Sequence, residues 1–162
     1  MFKGDVALLQ PHLDLIGGAA KIQVTGKEQV LHTKYEIWEQ GKLVTSQNAF
    51  SSYLEDRYAG HVSISVKGST KQPDMFDLCI AFNSKDGYSS SNTFVPRFNS
   101  EYSYGRNDFR GELQVGQNEE VAVFGLLAVE GGKGLQSSSD IGEDAKTADW
   151  ALVVKIWVSE QQ

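Results

Sequence analysis

The chain has 162 residues, 40% apolar and 22% charged, a length and balance suited to one domain with its own core and unlike a disordered segment. Fifteen Lys and Arg against 21 Asp and Glu give a formal net charge of −6 and a pI near 5.0, which argues against a protein that grips nucleic-acid phosphates or anionic membrane surfaces. A single cysteine, Cys79, excludes an internal disulfide, and no apolar run approaches the roughly 18 residues of a membrane helix.

The first stretch, MFKGDVALLQPHLDLIGGAA, lacks the apolar centre of a signal peptide. Residues 1–19 are expected to form an N-terminal extension or a short helix interrupted at Pro11. AKIQVT then reads as a strand. QVLHTKYEIW reads similarly as a strand, placing Leu31, Thr33, Tyr35 and Ile37 on one face, and KLVTS returns as its hairpin partner after a turn at Gln40 and Gly41. SSYLEDRYAG is expected to give a helical turn or two, capped by serine and ended at Gly60.

Alternation resumes in HVSISVKG (Val62, Ile64, Val66) and MFDLCIAF (Phe76, Leu78, Ile80, Phe82), with Cys79 expected to pack between sheets. NTFVPRF belongs at an edge, because Pro96 has no N–H to donate to a ladder. FRGELQV is a further strand, and EEVAVFGLLAV, apolar on both faces, is an interior strand covered on both sides. Residues 131–149, rich in Gly and Ser, read as a flexible loop. The closing ADWALVVKIWVSE puts Trp150, Leu152, Val154, Ile156 and Val158 on a core face and Lys155 on a mixed one. About nine strands separated by Gly, Ser, Asn and Asp clusters predict a single all-β domain, an antiparallel sandwich of immunoglobulin-like or jelly-roll-like type with one or two short helical turns.

No sequence pattern specifies a catalyst or a cofactor. GGKG lacks the strand-loop-helix context and the residue order of a phosphate-binding loop. His12, His32 and His61 stand far apart, without zinc-ligand spacing. Asp140, Glu143 and Asp144 are weak candidates for a hard cation, although DIGED departs from the EF-hand pattern. A glycoside hydrolase would need two carboxylates converging across a cleft, with Asp74, Asp77, Glu119 and Glu120 the residues to watch. The most distinctive surface candidate is FVPRFNSEYSYGRNDFRG, whose Arg97, Tyr102, Tyr104, Arg106 and Arg110 combine aromatic area with planar cations in the manner of a recognition patch.

The order YEIWEQGKLVTS, HVSISVKG, WALVVKIWV resembles soluble β-rich modules of envelope and membrane-anchored proteins of Gram-positive bacteria. In that resemblance Tyr35, Trp38, Gly41 and Leu43 form an early hairpin and residues 150–158 the closing strand. It implies an extracytoplasmic accessory, sensory or adhesive module, with no family active site. The expected function is therefore non-enzymatic binding of a protein or carbohydrate, with no nucleic-acid partner and no insertion of this chain into a membrane. A carbohydrate-active protein with convergent carboxylates and an assembly subunit are the competing expectations.

Overall fold

The computed structural model describes residues 15–25, 29–54, 57–85, 87–109 and 111–160. Alternating side chains become strands β1 (Ile16–Thr25), β2 (Gln29–Glu39), β3 (Lys42–Leu54), β4 (Arg57–Gly68), β5 (Met75–Ser84) and β6 (Gly87–Pro96). They continue as β7 (Ser103–Asp108), β8 (Glu112–Gln114), β9 (Val121–Val129) and, after helix α1 (Ile141–Thr147), β10 (Trp150–Glu160). Two five-stranded sheets result, in the orders β6-β5-β4-β1-β8 and β3-β2-β10-β9-β7. Neighbouring strands run antiparallel, except that β8 joins β1 in parallel. The architecture is an all-β sandwich.

The core lies between the sheets, where the alternation predicted. Leu31, Ile37, Ile64, Leu78, Ile80, Leu152 and Ile156 are each at most 1% exposed, and burying such a side chain is worth about 1.5–3 kcal/mol. Thr33 shares this interior at no polar cost. Its Oγ1 donates to the Phe50 carbonyl at 3.1 Å and accepts from the Phe50 N–H at 3.2 Å, where the β2–β3 register slips. The β2–β3 turn forms as expected, with φ of 50° at Gln40 and 72° at Gly41, the left-handed pair that a two-residue hairpin requires. β6 is an edge strand and ends at Pro96, and β9 lies inside its sheet between β10 and β7.

Four expectations need correction. Residues 131–149 contain α1, which Asp140 caps by accepting from the N–H groups of Gly142 (2.9 Å) and Glu143 (3.0 Å). Ile141, Ala145 and Ala148 settle onto Leu127, Ala151 and Val153 as a second, smaller core on the outer face of the second sheet. This roof explains why EEVAVFGLLAV is apolar on both sides. SSYLEDRYAG is not helical where described: β3 runs to Leu54 and β4 starts at Arg57, because cross-strand partners at Gln29 and Thr25 extend both ladders past any local helical preference. Cys79 lies on the outward face of β5, half-buried between the inward Leu78 and Ile80, and not between the sheets. Residues 16–19, assigned to the N-terminal extension, already belong to β1, while residues 1–14 lie outside the described residues.

Candidate functional site

β3 and β6 are the edges of their sheets and lie together on one flank of the sandwich. Where β3 gives way to β4 and β5 to β6, an open groove of about 560 Å³ is lined by Tyr53, Tyr58, Tyr88, Lys85 and a set of serines. Local sequence explains its shape. Alternation turns Leu54 inward (8% exposed), so Tyr53 faces outward and stays 74% exposed. Tyr58 is partly buried and donates from its hydroxyl to the Asn83 carbonyl at 3.1 Å. Its ring fits because residue 60 is glycine: a Cβ there would stand 2.5 Å from the Tyr58 hydroxyl and 2.3 Å from the Asn83 carbonyl oxygen. Burial pushes the Tyr58 phenol above its ordinary value, so it remains a neutral donor. β6 opens at Gly87 (φ 149°), next to which Tyr88 is 77% exposed. Phe82, 3% exposed, lies between these walls.

The groove thus offers aromatic faces from Tyr53 and Tyr88, hydroxyl groups from Ser52, Ser84 and Ser89, and a cation from Lys85. Its described lining carries no Asp or Glu. Such a surface can stack on flat apolar faces and exchange neutral hydrogen bonds.

The segment singled out in the sequence is dispersed. Arg97 is exposed, with its guanidinium 5.2 Å from the centre of the Phe76 ring. Tyr104, 56% exposed, lies 5.2 Å from Phe98, which also packs on Phe76 and Trp150. Arg97 and Tyr104 therefore flank one aromatic cluster, at the end of the β5–β6 hairpin away from the groove. Tyr102 packs against the main core. Arg106 is engaged across the sandwich, donating to the Gly17 carbonyl of β1 and lying 3.4 Å from Asp108. Arg110 lies outside the described residues.

The acidic loop candidates have structural duties. Asp140 caps α1, and Glu143 pairs with Lys146 at 2.5 Å. Asp144, 6% exposed, accepts from the Ser138 N–H at 2.9 and 3.0 Å and from the Asn107 side chain at 2.7 Å. Among the described residues, no three His, Cys, Asp or Glu side chains gather as a metal site would need.

A polar array that alternation does not foretell lies on the outer face of the second sheet, on the part α1 leaves open. Glu36 is 3% exposed and accepts from Lys155 (2.9 Å) and the Trp38 indole (3.1 Å), with Lys34 at 3.3 Å. Burial opposes its charge, yet the hydrogen bonds from Lys155, Trp38 and Lys34 outweigh this and hold the carboxyl below its usual range. Alongside, the His32 ring stacks on Trp157 at 4.9 Å and meets the hydroxyls of Ser51 (2.7 Å) and Ser159 (2.8 Å). The strand period assigns these residues to one face, but it does not reveal that they interlock. Comparison with family models, with curated proteins and with solved structures finds no match to this chain.

Proposed function

We propose that this chain is a non-enzymatic binding module that holds a short carbohydrate, or a ligand equally rich in hydroxyl groups, in the groove between β3, β4, β5 and β6. The observation that carries this reading is the pair Tyr53 and Tyr88, 74% and 77% exposed, on the rim of a groove of about 560 Å³. Large aromatic rings left in water are informative where they cluster, because isolated ones need no explanation and grouped ones mark contact surfaces. Tyrosine suits such contact, since its ring supplies area at low entropic cost and its hydroxyl supplies a hydrogen bond. Sugar rings present an apolar C–H face for the tyrosines and hydroxyl groups for Ser52, Ser89 and Lys85. With a net charge of −6, capture rests on packing and hydrogen bonding instead of long-range attraction of anions.

The carbohydrate-hydrolase alternative draws no support from the acidic residues singled out for it. Asp77 sits across from Lys67 in the β4–β5 ladder, and Glu120 pairs with Lys34 at 2.5 Å, both away from the groove. An accessory role in a cell envelope accords with the sequence resemblance. Titration calorimetry against soluble oligosaccharides of varied composition tests the reading. Binding at micromolar to millimolar strength that falls about tenfold in Tyr53→Ala supports it, since such anchors contribute more than 1 kcal/mol each. An unchanged affinity in that variant would move the site elsewhere, and silence across the whole panel would remove carbohydrate as the ligand.

A further inference from the structure

We infer that the chain self-associates through edge strand β3, which pairs antiparallel with β3 of a second copy about a two-fold axis within residues 45–48. The two flanks of the sandwich are built differently. On one, β8 is three residues long and its Glu112 is tied to Lys21 at 3.1 Å, while β7 carries Arg106 and Asp108. Short strands and charged side chains are how proteins keep sheet edges from pairing with other chains. On the opposite flank β3 runs for 13 residues, and LVTSQNAFSSYL, residues 43–54, holds no charge, proline or glycine. The adjacent edge β6, from Gly87 to Pro96, is uncharged as well.

Charge selects the occupant. Two copies of a chain with net charge −6 repel one another, and least where they meet through a neutral flank. A residue near a two-fold axis meets its own copy, so any charge there would face itself; in this strand none does. The apolar residues are also self-complementary. Leu43 and Val44, 47% and 52% exposed, sit at one end of β3, with Tyr53, 74% exposed, toward the other. Antiparallel pairing brings each end of one copy to the opposite end of its mate.

The β2–β3 register slips beside residues 44 and 49, leaving 45–48 as the regular run that would centre the new ladder. A strand of this length spans about 44 Å, and the flank is roughly 10 Å thick, so each copy buries about 400–500 Å². That is less than the roughly 800 Å² per partner of a stable complex, so the dimer forms at high concentration and backbone hydrogen bonds carry much of it.

Sedimentation of the full chain from about 1 µM to about 1 mM tests this, the range in which a modest interface acts. The mass is expected to rise from 17.8 kDa toward twice that value. The double variant Ser46→Lys/Asn48→Lys sets like charges against each other at the axis and should remain monomeric while still unfolding in one cooperative transition, although its lysines also face Glu36 and Lys34 in the β2–β3 ladder. Amide exchange in the unaltered chain gives a second reading, with residues 45–48 slowing as concentration rises. A chain that stays at 17.8 kDa throughout, a double variant that associates as well as the parent, or protection confined to other strands overturns the inference. Tyr88→Ala, which alters the groove and not the β3 edge, should leave association unchanged.

Discussion

Lys155 donates to the buried carboxylate of Glu36 at 2.9 Å, across the two neighbouring strands β10 and β2. A lysine inside the apolar run from Trp150 to Val158 thereby becomes one arm of a clamp, with Lys34 (3.3 Å) and the Trp38 indole (3.1 Å) as the others. Glu36→Ala leaves two ammonium groups and an indole N–H without their shared acceptor. Because both lysines keep some contact with water, the expected loss is about 2–3 kcal/mol, below that of a fully buried pair. Urea unfolding should show a lower midpoint at unchanged slope. A midpoint shift near zero would mean that solvent replaces the clamp.

Acid should weaken the fold in two stages. Burial beside Trp157 lowers the His32 pKa from its ordinary 6.5, so the unfolded chain takes up that proton more readily than the folded one. Its contribution is complete above 6.5 and is lost as pH falls from there through the folded value. For Glu36, burial raises the pKa but the bonds from Lys155, Trp38 and Lys34 lower it further, to a net value below 4.5. That contribution is present above 4.5 and disappears as pH drops through the folded value. Unfolding midpoints measured between about pH 3 and pH 8 should show both stages. His32→Phe, which keeps a ring against Trp157, should erase only the upper one.

Much of this architecture is legible in the residues themselves. Leu31, Thr33, Tyr35 and Ile37 share a buried face because a strand repeats every two residues, and Pro96 marks an edge because it cannot donate. The helix in residues 141–147 escapes such reading: it is a short polar segment whose burial is decided by Leu127 and Val153, which arrive from strands on either side of it in the chain. The groove escapes for a related reason. Tyr53 and Tyr58 fall in a segment that reads as a helical turn and Tyr88 in a Ser-rich stretch with no assigned element, and only the closed sandwich brings their three strands to one end. FVPRFNSEYSYGRNDFRG misleads in the opposite sense, since neighbours along the chain are divided between the edges of two sheets.

The docking of α1 depends on Asp144, which orders the preceding loop through Ser138 and reaches β7 through Asn107. Asp144→Ala should cost about 2 kcal/mol, the loss expected when a buried carboxylate no longer receives its donors. Trypsin should then cut faster after Lys133 and Lys146, which flank this contact, while the rest of the chain resists. Equal cleavage of variant and parent would show that the apolar underside of the helix suffices to hold it.

Gly60→Ala should close the groove from within. The added Cβ meets the backbone oxygen of Asn83 at 2.3 Å, which cannot swing aside as a side chain would, and it displaces Tyr58. The expected penalty is about 1–3 kcal/mol, as for other overpacked sites. A lower melting temperature together with weakened ligand capture is the predicted result. Capture at full strength would show that Tyr58 takes no part in the site.

On the proposed reading, the groove beside Tyr53, Tyr58 and Tyr88 is where the ligand binds. Backbone amide NMR of the full chain, titrated with the tightest oligosaccharide found by calorimetry, tests it most directly. The predicted result is a set of shifts confined to residues 52–54, 58–59 and 82–89, reduced in Tyr88→Ala while that variant's spectrum stays folded. Shifts centred instead on Arg97 and Tyr104, or on His32 and Trp157, would contradict it.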